Sequence, residues 1–185
     1  MPGISIARRA GGDAPDTESA LDAVCFFDDY ETDVLYDSDR LTVAATGYAG
    51  YPVRTFDTPD GLVVLEGHIY DVEELEAHLR DVAHWVATGD RDALRTWLRD
   101  RDGDFLVSVV DPDADAVTIV NDALGRLPLY HATVGDTTVV SRELKFVRAL
   151  ADDLDHGLPV DSLAIAQTLL LGYRLGTRTL FEGIE

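Results

Sequence analysis

The sequence has 185 residues, of which 46% are hydrophobic, and its 35 acidic residues against 15 basic ones give a formal net charge of −20. This length predicts one domain, or one domain with a short appendage, and the hydrophobic content excludes a disordered acidic tail. No apolar run approaches the roughly 20 residues of a membrane span, and no leader sequence opens the chain. Cys25 is the single cysteine, which excludes a disulfide framework and a thiolate-rich metal site. We therefore expect a soluble, cytoplasmic, globular protein.

The charged residues are unusual in kind as well as in balance. Lys145 is the only lysine among the basic residues, and aspartate far outnumbers glutamate. A solvated carboxylate surface keeps a protein soluble where salt screens the repulsion, so this composition predicts adaptation to a high-salt cytoplasm. The acids are spread along the whole chain, which favours this interpretation over an acidic face for a cationic partner. Neither nucleic acid nor a membrane is an expected partner of such a polyanion.

The first part of the chain has the alternation and short apolar runs of β-strands. A loop rich in Gly, Asp and Pro at 11–17 and a short amphipathic segment at 21–27 follow the first predicted strand. The turn at 59–61 leads into the last strand of this group. The predicted strands are 3–7, 33–45, 51–57 and 62–65.

Helical spacing begins after this group. Asp71 has the position of a helix N-cap followed by an acidic first turn, and the periodicity ends near Gly89. Asp90 then begins a second helix. The remaining predicted elements are strands at 105–110, 116–120 and 137–140 and helices at 143–150 and 162–171. Two groups of strands and two pairs of helices predict a layered α+β fold.

The stretch at 65–71, Leu-Glu-Gly-His-Ile-Tyr-Asp, is the most informative one for function. A buried strand ends at a glycine and a short link enters an acidic helix start, a junction where backbone N–H groups often hold ligands. The alternative is that Gly67 only permits a tight turn. Arg40 and Asp90 also have simple explanations, as a surface cation and as an N-cap.

An ordered set of motifs along the chain resembles the glutaminase domain of class II glutamine amidotransferases, particularly that of asparagine synthetase. The family's opening Met-Cys-Gly-Ile stands here as Met-Pro-Gly-Ile, and its Asn-Gly-Glu-Ile-Tyr-Asn strand end stands as Glu-Gly-His-Ile-Tyr-Asp. Its Arg-Asp-x-x-Gly-x-x-Pro-Leu-Tyr signature is similar to Asn-Asp-x-x-Gly-x-x-Pro-Leu-Tyr. The segments that carry the resemblance are 1–4, 40–41, 50–53, 66–71, 88–92, 103–111, 121–130 and 172–184.

The resemblance implies one amidotransferase domain over 1–185 and the four-layer αββα sandwich of N-terminal-nucleophile hydrolases. In active members, the second-position cysteine attacks the glutamine amide and its own α-amine moves the proton. The Asn and Gly of the strand-end motif form the oxyanion hole. The family's arginine and aspartate bind the substrate carboxylate and ammonium. The implied substrate-binding candidates here are Arg40, Glu66, Gly67, His68 and Asp90, of which Arg40, Gly67 and Asp90 match the family's binding residues.

Three departures fall on the positions that carry the chemistry. Pro2 occupies the nucleophile position and has neither thiol nor hydroxyl. Glu66 replaces the oxyanion-hole asparagine, where an ionised carboxylate would repel the developing oxyanion. His68 replaces a glutamate. Cys25 cannot substitute, since it is internal and its apolar neighbours predict that it packs in a core. The sequence therefore predicts a retained fold without glutamine hydrolysis.

A domain of this kind would have a structural, ligand-sensing or partner-docking role in amide formation such as asparagine biosynthesis. The predicted partners are a glutamine-like amino acid, an ATP-dependent synthetase domain in cis or in trans, and a second copy paired through an open edge strand. The chain contains neither a pyrophosphate-binding loop nor a Walker motif, and its histidines are scattered, so no cofactor or metal is expected. The alternative is an active enzyme. It would have residual amidotransferase activity with a partner, or use Pro2 as an N-terminal general base assisted by Glu66 or His68.

Overall fold

The computed structural model of the chain describes residues 2–12 and 15–185. Met1, whose removal the Pro2 general-base alternative requires, lies outside the described residues, as do Asp13 and Ala14 of the predicted loop. The α+β class is confirmed, because the described residues form two antiparallel sheets and five helices. The chain divides into two compact units. The first contains the chain up to Ala49 and from Leu129 onward, and the second is Gly50–Pro128.

The elements come in groups of strands and groups of helices, in the predicted order apart from the hairpin described below. None of the helices in the described part of the chain is both long and apolar enough to span a membrane. In chain order the elements are β1 Gly3–Arg9, α1 Glu18–Asp22, β2 Tyr30–Asp37, β3 Leu41–Tyr48, β4 Val53–Thr58, β5 Gly61–Ile69, α2 Leu75–Thr88, α3 Arg91–Arg99, β6 Gly103–Asp111, β7 Ala116–Asn121, β8 Tyr130–Val134, β9 Thr137–Ser141, α4 Leu144–Asp153 and α5 Ser162–Leu171.

The first unit is a five-stranded sheet in the order β2-β3-β1-β9-β8, with α1 and α4 on one face. Ala7 and Ala44 project from the sheet into this core, where they pack with Phe146 and Leu150 of α4. Small residues on the strands let the helices approach closely. The opposite face of β1 carries Ile4 and is also buried. Both faces of β1 are therefore removed from water between Gly3 and Ala7.

The second unit is a four-stranded sheet in the order β4-β5-β6-β7, covered on one face by α2 and α3. Leu65 of β5 and Phe105 of β6 are fully buried in this core, and Trp97 of α3 meets Phe105 edge-on with 5.8 Å between ring centroids. Helix α2 runs back along the sheet, since His84 near its end lies 3.3 Å from Asp60 in the turn before β5. The start of α2 and the end of β5 consequently lie at the same edge. The stacking of four layers stays a prediction.

The single strand predicted at 33–45 was wrong, because the chain forms a hairpin of β2 and β3 there. Ser38 closes the turn: its Oγ accepts hydrogen bonds from the backbone N–H groups of Leu41 at 3.1 Å and Arg40 at 3.3 Å. Serine side chains compete with strand pairing in this way. The Asp-Ser-Asp sequence at 37–39 is typical of a turn, but the alternation of apolar and polar residues continues through it and favoured a single strand. Arg40 is therefore a turn residue.

Asp71 is not the N-cap that its spacing predicts. Helix α2 begins at Leu75, with Glu74 at the N-cap position and no side-chain cap. The Asp71 carboxylate instead accepts hydrogen bonds from Arg101 Nη1 at 3.0 Å and from the N–H of Asp102 at 3.2 Å. This local network joins the segment that follows β5 to the segment that precedes β6. Asp71 therefore forms an ion pair with Arg101 and does not cap α2.

We expect Asp161 to stabilise the first unit in a pH-dependent way. Its carboxylate caps α5 by accepting from the N–H of Ala164 at 2.9 Å and pairs with Arg178 Nη1 at 2.7 Å. These bonds, the backbone bond first, lower the pKa of Asp161 below 3.8. A lowered folded-state pKa contributes stability above the ordinary value, which is lost as pH falls through the folded value. The melting temperature of Asp161→Ala should therefore fall near neutral pH, and this deficit should shrink in acid.

The matched control is Asp153→Ala, which removes the same charge from an exposed position. Thermal unfolding followed by circular dichroism at several pH values compares the two variants with the unmodified chain. A deficit in Asp161→Ala that is equal at all pH values would contradict the expectation.

Candidate functional site

Glu66 is a fully buried carboxyl group near the end of β5. It projects from the face of the sheet opposite to Leu65, because side chains alternate along a strand. Tyr51, in the turn before β4, donates its phenolic O–H to Glu66 Oε1 at 2.5 Å. The carboxyl oxygen thus acts as an acceptor at the position where the family places an amide donor.

Gly67, the next residue, is held by its surroundings. Its N–H donates to the Pro52 carbonyl at 2.8 Å, and its φ of +88° lies in the left-handed region. A Cβ at this position would lie 2.0 Å from the Asp104 carbonyl oxygen and 3.2 Å from Leu127 Cδ1. Only glycine fits this close approach of three segments. The same geometry directs the amide N–H of Gly67 toward Pro52.

Together, these two residues do not offer donors to a developing oxyanion. Stabilisation of that charge requires preorganised donors about 2.7–3.1 Å from it. Glu66 presents a carboxyl acceptor, and the Gly67 N–H is already engaged with a carbonyl. This strand end therefore presents the Glu66 carboxyl group as a fixed hydrogen-bond acceptor.

His68 and Tyr70 lie at the exposed end of the same strand. Their rings are stacked, with 6.3 Å between centroids and 9° between planes. The Tyr70 O–H donates to Asp104 Oδ1, and this hydrogen bond, followed by burial and the carboxylate charge, raises the pKa of Tyr70 above 10.0. Tyr70 therefore stays protonated through the neutral range, as a hydrogen-bond donor to Asp104.

The loop at 121–128, which contains the family-like Asn-Asp…Gly…Pro segment, rests on Gly67 through Leu127. Asp122 orders the loop, because its carboxylate accepts hydrogen bonds from the N–H groups of Leu124 and Arg126, both at 2.9 Å. Asn121 Nδ2 donates to the Leu127 carbonyl at 3.0 Å. These residues hold the strand end in place.

Arg40 does not lie at the end of the sheet from which Pro2 enters. It lies beside the far end of β1, where its carbonyl accepts from the N–H of Arg9 at 2.9 Å and its Nη2 donates to the Ala10 carbonyl at 2.7 Å. Strand β1 from Gly3 to Arg9 is about 20 Å long at about 3.3 Å per residue. Within the first unit, Arg40 thus ties the β2–β3 turn to the end of β1.

Asp90 does not lie beside the strand end of Glu66 and Gly67 either. It is the N-cap of α3, with its Oδ1 accepting from the Ala93 N–H at 3.0 Å. Helix α2 separates it from the end of β5 by about 21 Å, from 14 residues at 1.5 Å each. The structure therefore separates two of the residues that the resemblance groups together.

Cys25 is partly exposed, and the prediction that it packs in a core was wrong. Its Sγ lies 3.2 Å from Thr32 Oγ1, which in turn lies 3.5 Å from Thr46 Oγ1. Thr46 shares the helix-covered face of the sheet with Ala44. The thiol is thus on the opposite face from Ile4, and this separation argues against its replacing a nucleophile at position 2. The general-base role of Pro2 stays a prediction.

The functional contacts that sequence reasoning missed are those of Tyr51 and Pro52. Both belong to the turn that resembles the family's Gly-Gln-Pro-Leu segment, but their link to Glu66 and Gly67 needs the pairing of Val53 with Glu66. The hairpin turn at 59–61 could have supplied that register, because a short turn sets which residues of two strands face each other.

We expect Gly67→Ala to be far more costly than Gly50→Ala. Both glycines have left-handed backbone, with φ of +88° and +84°, but a Cβ at Gly50 would meet nothing within 4 Å. Backbone strain alone costs about 1–3 kcal/mol. The backbone clash at Gly67 should add at least about 2 kcal/mol or prevent folding of the second unit. Urea unfolding of the two variants measures the difference, and equal losses of stability would refute the steric account.

Comparison with protein-family models shows the family of this chain. The family model described as the glutamine amidotransferase domain matches residues 22–185, so the match begins after the position of Pro2. No match was found among curated proteins. The matched segment includes the Glu66–Gly67 strand end and the loop at 121–128. This chain therefore belongs to the glutamine amidotransferase domain family.

Proposed function

We propose that this domain does not hydrolyse glutamine and retains the amidotransferase fold for a structural or docking role. Its partner would be an ATP-dependent amide-forming enzyme of the asparagine synthetase type, joined to it in cis or in trans. The observation that carries the proposal is the strand end of β5, where a buried carboxyl group and an engaged N–H stand in place of two oxyanion donors.

The first support is the absence of a nucleophile at position 2. An acyl intermediate requires a thiol or hydroxyl that becomes bonded to the substrate carbonyl carbon as ammonia leaves. The pyrrolidine ring of Pro2 offers neither group. Cys25, the only thiol in the sequence, lies on the helix-covered face of the first sheet.

The second support is the electrostatics of the strand end. Removing one oxyanion donor lowers turnover by about 10²–10³-fold in hydrolases that retain the rest of their site. Here Glu66 substitutes an acceptor for one donor, and Gly67 directs the other toward Pro52. A charged Glu66 would add repulsion to the missing attraction.

The third support concerns substrate binding. Arg40 and Asp90 each make local contacts, Arg40 with Ala10 and Asp90 with Ala93. These hydrogen bonds give both residues a structural role. We therefore favour docking over glutamine sensing, although the family itself suggests a glutamine ligand.

The charge pattern supports a high-salt setting for this role. With a net charge of −20, the chain repels itself strongly at low ionic strength. At about 1 M salt the Debye length is about 3 Å, and this repulsion is largely screened. Assays of the domain are therefore best performed in about 1 M KCl.

The proposal predicts that the purified chain releases neither glutamate nor ammonia from glutamine above the buffer rate. Pro2→Cys should also stay at that rate, because it restores a thiol but leaves Glu66 in place. Coupled assays of both products measure turnover. Calorimetry on the same samples should give the same glutamine heat for the unmodified chain and Arg40→Ala.

Cys25→Ser is the control, since it removes the only thiol and should change nothing. Glutamine turnover by the unmodified chain would overturn the proposal. Turnover that disappears in Cys25→Ser would show in addition that Cys25 is the nucleophile.

A further inference from the structure

Helix α5 of the first unit is an apolar helix that its own chain scarcely covers. Residues 162–173 carry no charge, although 27% of the chain is charged. Only Ala164 of α5 is buried. Leu169 and Leu170 are 80% and 83% exposed. A helix that is apolar all round is normally buried, so this one needs a cover.

The apolar surface continues from α5 into the segment that follows it. We define the α5 surface by six of its exposed residues, Leu163, Ile165, Leu169, Leu170, Tyr173 and Leu175. At about 180 Å² for a fully accessible leucine, they expose roughly 700 Å², more than the 300–600 Å² of the largest patch on a typical monomer. One partner in a standard interface contributes about 800 Å². The area therefore fits one half of a stable dimer.

The charged residues beside α5 pair within their own chain. Asp161, the N-cap of the helix, accepts a hydrogen bond from Arg178 Nη1 at 2.7 Å, and Arg174 Nε donates to the Arg178 carbonyl at 3.1 Å. The apolar residues of α5 are therefore what a second copy would contact. An antiparallel pair of α5 helices also opposes the two helix dipoles, which favours that orientation.

The α5 surface contains both a protrusion and a recess. Leu169 and Leu170 protrude near the C-terminal end of the helix. A cavity of about 770 Å³, lined in part by Asp161, Leu175 and Phe181, includes the N-cap of the helix in its wall. In an antiparallel pair, the leucines of each copy would approach the cavity of the other. Such reciprocal contact is the property of a two-fold interface.

We propose that the α5 surface pairs with the α5 surface of a second copy of this chain, with the two helices antiparallel about a two-fold axis near Ala166. Ala166 is half-buried and lies near the middle of the helix, about 200° around from the fully buried Ala164 at 100° per residue. Its small side chain permits close approach. The proposal does not depend on the absence of glutaminase activity, so the two can fail separately.

The first test is the mass of the full chain in solution. Sedimentation equilibrium in about 1 M KCl should give twice the 20.2 kDa chain mass at high protein concentration. Leu169→Asp with Leu170→Asp should give 20.2 kDa under the same conditions, with an unchanged far-ultraviolet spectrum. The matched control is Leu124→Asp, which places a charge on another leucine, 73% exposed, in the second unit and should remain dimeric.

The second test does not depend on the folding of the charged variant. In the Cys25→Ser background, Ala166→Cys should form a disulfide-linked dimer on mild oxidation, because a residue near the two-fold axis lies close to its own copy. Leu124→Cys in the same background should not. A monomeric unmodified chain, a dimer that survives both leucine substitutions, or a dimer without the Ala166→Cys cross-link would each overturn the proposal. A different protein bound at α5 to a monomeric chain would do so as well.

Discussion

The burial of one carboxyl group, Glu66, constrains the strand end that carries our proposal about this domain. A carboxyl at zero exposure is tolerated only if its oxygens have hydrogen-bond partners. Tyr51 supplies one such bond, and this bond ties the turn before β4 to the end of β5. The same turn provides the Pro52 carbonyl that accepts the Gly67 N–H. The strand end thus presents a carboxyl acceptor at Glu66 and an N–H at Gly67 that is already engaged.

The contacts around this strand end depend on a glycine, Gly67, and on an aspartate, Asp122. Gly67 has no room for a side chain because of the Asp104 carbonyl, and the loop ordered by Asp122 holds Leu127 against it. These contacts stabilise the second unit whether or not glutamine is hydrolysed. This distinction between scaffold and chemistry makes a family match over residues 22–185 compatible with the loss of glutamine hydrolysis that we propose.

The sequence predicted the elements whose signals are local. It did not predict contacts that depend on how the strands pair. The cap at Asp90 and the bounds of α5 at 162–171 follow from local signals, and the sequence predicted both. The β2–β3 hairpin was missed because apolar alternation runs through the Ser38 turn. Because the predicted strand ran from 33 to 45, it included Arg40. In the structure Arg40 lies in a turn, beside Arg9. The position of Asp90 depends on the direction of α2, which spacing cannot give.

The measurement that tests this account most directly is a search for a covalent intermediate. The Cys25→Ser chain is incubated with a glutamine analogue that carries an electrophilic carbonyl in place of the side-chain amide, and its intact mass is recorded. The account predicts an unchanged mass at saturating analogue, because the residues at the nucleophile and oxyanion positions cannot form or stabilise an adduct. A stoichiometric adduct that excess glutamine prevents would contradict it.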